Sequence, residues 1–124
     1  MGIIWDFDWG FGYHIDKQHY SPTTATASLF DSQKPGRLFF DKILQDPHIK
    51  ELYKERWEWF RNNAFEQVKQ NVREYSAKIS PSQPKDQEIW GDRGSSGNSK
   101  DDLKRVLDWL DARADYLDTY AKEL

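Results

Sequence analysis

The chain has no cysteine and a single methionine, which excludes disulfides and thiolate-bound metals within it. Long apolar runs are also missing: none approaches the roughly 20 residues that a membrane-crossing helix needs. No secretory signal is legible at the start, and Met1-Gly2 does not complete a myristoylation motif because position 6 is Asp. Neither sign of charge dominates. Eighteen Lys and Arg stand against 21 Asp and Glu, a formal net charge of −3, and the interspersed signs leave no basic footprint for nucleic acid or an anionic membrane. Aliphatic residues are scarce too. Leu, Ile, Val and Phe total 26 of 124, just above the level at which disorder is expected, and the mean hydropathy is −0.95.

Aromatics compensate. Six Trp and six Tyr each bring about 150–250 Å² of surface to bury, so the chain should fold around an aromatic core as one domain. At this length roughly two-thirds of the unfolded surface can be buried.

The densest signal is Ile3-Ile4-Trp5-Asp6-Phe7-Asp8-Trp9-Gly10-Phe11-Gly12. As an extended segment it sends Trp5, Phe7 and Trp9 to one face and Asp6 and Asp8 to the other. Three aromatics would anchor it while two carboxylates point together into a cavity or solvent. Such a pair suits a hard cation, since Mg²⁺ takes one or two carboxylates plus phosphate oxygens. The plainer reading is the polar side of a half-buried strand. Gly10 and Gly12 follow, where the backbone must bend or approach something closely.

Residues 13–36 read as irregular, with Ser21-Pro22-Thr23-Thr24 and Lys34-Pro35-Gly36 as breakers. A short helix should follow, burying Leu38, Phe39, Ile43 and Leu44. Asp46-Pro47 is a start signal, an N-cap with Pro at the first helical position. Ile49, Leu52, Tyr53, Trp57 and Phe60 then recur mostly at three and four, the period of an amphipathic helix. Asn62-Asn63 should break or kink it before Phe65, Val68, Val72, Tyr75 and Ile79 resume the pattern. Residues 80–98, rich in Ser, Pro, Gly and Asp, read as a long loop with Ile89-Trp90 as an apolar island. Ser99 should cap a closing helix over 99–124, with Asp101 and Asp102 favouring its dipole. Its stripe is Leu103, Val106, Leu107, Leu110, Leu117 and Leu124, broadened by Trp109 and Tyr116. The expected fold is mainly α, a short N-terminal strand or hairpin followed by packed amphipathic helices.

Ile4-Trp5-Asp6-Phe7-Asp8 with Gly10 and Gly12, then Asp46-Pro47, Arg56-Trp57 and Trp109-Leu110-Asp111-Ala112-Arg113, resemble in order and spacing the C-terminal part of the CotH (spore coat protein H) kinase-like family. The resemblance covers nearly the whole chain, organised as 1–36 motif strand and irregular segment, 37–79 helices, 80–98 loop and 99–124 closing helix. It implies an atypical protein kinase with a helical, C-lobe-like architecture that transfers phosphate from ATP to protein Ser or Thr. Asp6 is implied as the Mg²⁺ and nucleotide-site ligand, and Asp8 as its metal-site neighbour. The motif stands at residue 5, and no Gly-rich phosphate loop, phosphate-pairing Lys or catalytic Asp is found ahead of it. The expectation is therefore a C-terminal fragment that carries no catalytic residue of its own, with Mg²⁺ and ATP bound only in the intact protein and no activity in isolation. The implied partners are a protein substrate or a coat or surface protein, and the implied location a spore coat or cell envelope.

Two readings compete: a non-catalytic coat or surface-protein assembly module, and a carbohydrate-binding domain using Trp59 or Trp90. Trp57 and Phe60 fit the core stripe, which leaves Trp59 pointing elsewhere. His14, His19 and His48 show no zinc spacing. Ser, His and Asp are present without any hydrolase signature. Arg56 and Arg113 sit on apolar stripes and should be drawn inward to carboxylates or carbonyls, because an unpaired buried charge is very costly. The alternative is that each snorkels along aromatic surface with its head in water.

Overall fold

A computed structural model describes residues 11–12, 21–28, 36–91 and 96–124. Among these the structure is helical: a 3₁₀ turn at Pro22–Thr26, then α1 (Gly36–Ile43), α2 (Pro47–Asn63), α3 (Phe65–Ile79), α4 (Gln83–Trp90) and α5 (Ser99–Glu123). The mainly α expectation holds. The expected strand, with Trp5, Phe7 and Trp9 against Asp6 and Asp8, lies outside the described residues.

Local chemistry explains most boundaries. The Asp46 carboxylate accepts from the His48 amide at 2.8 Å, and Pro47 fills a position whose amide has no helical partner. The Asn62-Asn63 break falls where expected: α2 ends at Asn63, and Ala64 joins it to α3. The cap of α5 is one residue earlier than the sequence suggested. Asn98, not Ser99, accepts from the Lys100 amide at 2.9 Å. The 80–98 stretch is not wholly loop, because α4 forms within it. Pro84 in its first turn fits a helix start, and Gly91 closes it at φ 67°.

Helix α5 is the spine, packing against the 3₁₀ turn, α2 and α3, while α2 and α3 pack on each other. The core consists of Ala25, Phe65, Trp109, Leu110 and Ala114, flanked by Trp57, Phe60, Val72 and Val106. Phe60 meets Phe65 edge to face at 6.3 Å, and Arg61 and Lys69 stand over the Phe65 ring at 4.5 and 5.4 Å. Helix α1 departs from expectation. Leu38 is 75% and Phe39 64% exposed, and only Ile43 and Leu44 are half-buried. Helix period gives a face but not a partner for it, and α1 shares little contact with the other elements. No described helix is long and apolar enough to cross a membrane.

Candidate functional site: the docking of the motif segment

Asp6 and Asp8 lie outside the described residues, as do His14 and His19. The described chain begins at Phe11 and Gly12, immediately after the acidic motif, and these two residues are tied to the helical scaffold. Gly12 is buried with φ 92°, a left-handed conformation that disfavours a side chain. Its carbonyl accepts from the Ser21 amide at 2.7 Å. Phe11 meets Trp109 edge to face at 6.0 Å.

Ser21, itself buried, opens the 3₁₀ turn. The turn is braced internally: the Thr24 hydroxyl donates to the Ser21 carbonyl at 2.7 Å, and the Ser21 and Thr23 hydroxyls are 2.8 Å apart. Ala25 enters the core beside Trp109, Leu110 and Ala114 of α5. Two residues of α5 then grip the turn. The Trp109 indole N–H donates to the Thr24 hydroxyl at 2.8 Å. Arg113 Nη1 donates to the Ala25 and Ala27 carbonyls at 3.1 and 2.5 Å. Trp109 and Arg113 are one helical turn apart, so they share a face.

The Arg113 expectation is thus met through carbonyls. Burial lowers its pKa from the ordinary value, opposed by Tyr116 and Tyr53; its guanidinium lies over the Tyr116 ring at 5.0 Å. The Arg56 expectation is corrected. Arg56 is exposed and has no ion pair or hydrogen bond to any described side chain. The arginine drawn to the helix interface is Arg61, which reaches Asp118 and Asp115 at 3.2 Å each, while the Trp57 indole donates to Asp118 at 2.7 Å. Asp111, Asp115 and Asp118 follow helical spacing along α5, and that run was the signal for partners on the facing helices. Lys69 takes Asp111 at 2.7 Å and Glu66 at 3.3 Å.

Among the described residues no group of three or more His, Cys, Asp or Glu side chains could hold a metal ion. His48 is exposed on the first turn of α2, and Trp59 is exposed as expected. An apolar groove of about 560 Å³ runs between α3 and α5, lined by Val72, Tyr75, Ile79, Leu103 and Val106, with Gln83 at one end.

The class these features define is a helical domain whose long closing helix receives Phe11 and the 3₁₀ turn at Pro22–Thr26. A family model described as CotH kinase protein matches residues 2–117, and the chain belongs to that family. No curated protein and no solved structure matches it.

Proposed function

We propose that this chain contributes to ATP-dependent phosphoryl transfer onto protein Ser or Thr hydroxyls, with Asp6 as the Mg²⁺ ligand. The observation that carries this reading is the family match over residues 2–117, which includes the whole Trp5–Gly12 motif. The donor set suits the metal: two carboxylates two residues apart, with no thiolate or recognised zinc spacing nearby, match a hard, oxygen-seeking cation. When bound, Mg²⁺ would neutralise charge on the phosphates during transfer. Asp6 would supply a direct anionic oxygen, and Asp8 would hold a metal-bound water or a second contact. The helices act as scaffold, resembling a kinase C-lobe in role. The 124 residues alone should be inactive, because two carboxylates cannot hold a nucleotide without further phosphate contacts. Coat or surface proteins are the proposed acceptors or partners, with a spore coat or cell envelope as the setting.

The test is transfer of labelled γ-phosphate by the intact protein and its Asp6→Ala variant. Asp6→Ala should lower transfer by about 100-fold or more while far-UV circular dichroism stays unchanged. Full activity in Asp6→Ala would sink the assignment. Tight stoichiometric ATP binding by the 124-residue chain in calorimetry would sink the claim that it holds only part of a site. Exposed Trp59 and Trp90 favour a second reading as a carbohydrate-binding domain. An intact protein inactive toward protein acceptors, yet binding glycan through Trp59 or Trp90, would favour that one.

A further inference from the structure

We infer that the groove between α3 and α5 binds a small amphiphile: an apolar body about 10 Å long that ends in an N–H donor, an amine or amide, and carries no anionic group. The inference is independent of the proposed role of Asp6, because the lining runs from Val68 to Val106.

Size and composition fit such a ligand. The groove holds about 560 Å³, within the roughly 300–1,000 Å³ of small-ligand sites. Val68, Val72, Tyr75 and Ile79 of α3 and Leu103 and Val106 of α5 form its apolar walls. Val72 and Val106 also pack against the core, so the floor is anchored, whereas Tyr75 and Ile79 are exposed. Releasing water from these walls favours an apolar body of matching shape. Along α5 the lining runs from Ser99 to Val106, about 10 Å of helix, the length of an aromatic ring with a short alkyl chain.

The polar end sets the head group. Gln83 opens α4 and lines the groove, and its side-chain oxygen is buried with no hydrogen-bond partner. A buried acceptor left without a donor is costly. The terminal amide torsion is broad, so this oxygen can turn onto an N–H delivered along the groove. Asp102 is the only charged side chain among the described residues of the lining, and Arg105 approaches its carboxylate only at 3.5 Å. With Asp101, Asp102 already occupies the positive end of the α5 dipole, so an anionic head would meet a carboxylate and gain nothing. A partner helix has its own backbone N–H groups bonded internally, so it offers Gln83 a donor only through a side chain. A small ligand offers one at its head.

Three probes with one body and different heads test this on the 124-residue chain: phenylbutylamine, phenylbutyramide and phenylbutyrate. In an amide-resolved NMR titration the amine and amide should shift Val72, Leu103 and Val106, with dissociation constants of about 0.1–1 mM. The carboxylate should bind about tenfold more weakly. Gln83→Met keeps the length of the side chain and removes the acceptor. It should weaken the amine and amide about 5- to 10-fold without lowering the thermal midpoint. Ser76→Phe fills the groove without removing a core side chain and should abolish binding of all three probes. Equal affinity for the three heads would overturn the inference, as would an absence of shifts at Val72, Leu103 and Val106. Undiminished amine and amide binding by Gln83→Met would overturn it too. An amphipathic Leu- and Lys-bearing peptide of about 15 residues that bound this groove more than about tenfold tighter than every small probe would overturn it in favour of a protein partner.

Discussion

At the scale of single residues, charge on a helix face was only half legible. Arg56 and Arg61 both lie near the apolar stripe of α2, and their spacing alone cannot rank them. What separates them is the partner helix: Asp115 and Asp118 on α5 face Arg61, and no described side chain pairs with Arg56. Arg113 could be picked out because its own stripe on α5 carries the buried Trp109, Leu110 and Ala114, though its carbonyl partners come from a turn 86 to 88 residues away. Asp118 accepts from both Trp57 and Arg61, so Asp118→Ala leaves two donors short of a partner. The side chains of Arg61 and Asp118 are 28% and 31% exposed, so water replaces part of what is lost, and Ala favours the helix over Asp by a few tenths of a kcal/mol. The net destabilisation should be about 1–2 kcal/mol. Arg56→Met should stay within about 0.5 kcal/mol of wild type. Urea denaturation of both variants checks the contrast, and equal effects would show that the Asp118 cluster contributes nothing specific.

At the scale of elements, boundaries with a chemical signal were readable and those resting on composition were not. Asp46-Pro47 combines a cap with a fixed φ, and α2 begins there. Asn98 and Ser99 are both good caps, so residue type could not choose between them. The structure adds the reason: Gly97 at φ 77° turns the chain into Asn98, and Asp102 reaches back to the Ser96 amide at 2.7 Å. Helix α4 was hidden because Ser80-Pro81-Ser82 precede it and a Gly- and Ser-rich run from Gly91 follows it, while Lys85-Asp86-Gln87-Glu88 between them favours helix only weakly. The strand expected around Asp6 and Asp8 lies outside the described residues. Asn98→Ala should cost about 1 kcal/mol by freeing the Lys100 amide, and Ser99→Ala should cost far less. A larger loss from Ser99→Ala, measured by thermal unfolding, would place the cap where the sequence alone suggested.

At the scale of the whole molecule, a small aromatic core and a ring of polar contacts share one seam along α5, so titration on that seam should be felt globally. Lys69, only 12% exposed, has its pKa raised above 10.5, first by its hydrogen bond to Asp111 and further by Glu66, against an opposing burial effect. Tyr53 and Tyr120 meet edge to face at 5.9 Å. Both have pKa values raised above 10.0, chiefly because burial disfavours the phenolate. Arg113 opposes the shift at Tyr53 and Arg37 opposes it at Tyr120, while Tyr116 and Asp41 add to the latter. In all three cases the folded state keeps a proton that the unfolded chain has released once pH exceeds the unfolded pKa. Unfolding then releases protons, and stability falls as pH rises. The contribution is fully present below about pH 10 and is lost as pH climbs through the folded values. The thermal midpoint should therefore change little with these groups between pH 7 and about pH 9 and decline beyond about pH 10. Tyr53→Phe removes one of the three groups, and Lys69→Met removes another, so each should make the alkaline decline shallower than in wild type. A midpoint that held steady to pH 11 would show that these groups do not couple to stability, and a decline unchanged in both variants would place the alkaline sensitivity elsewhere than on the α5 seam.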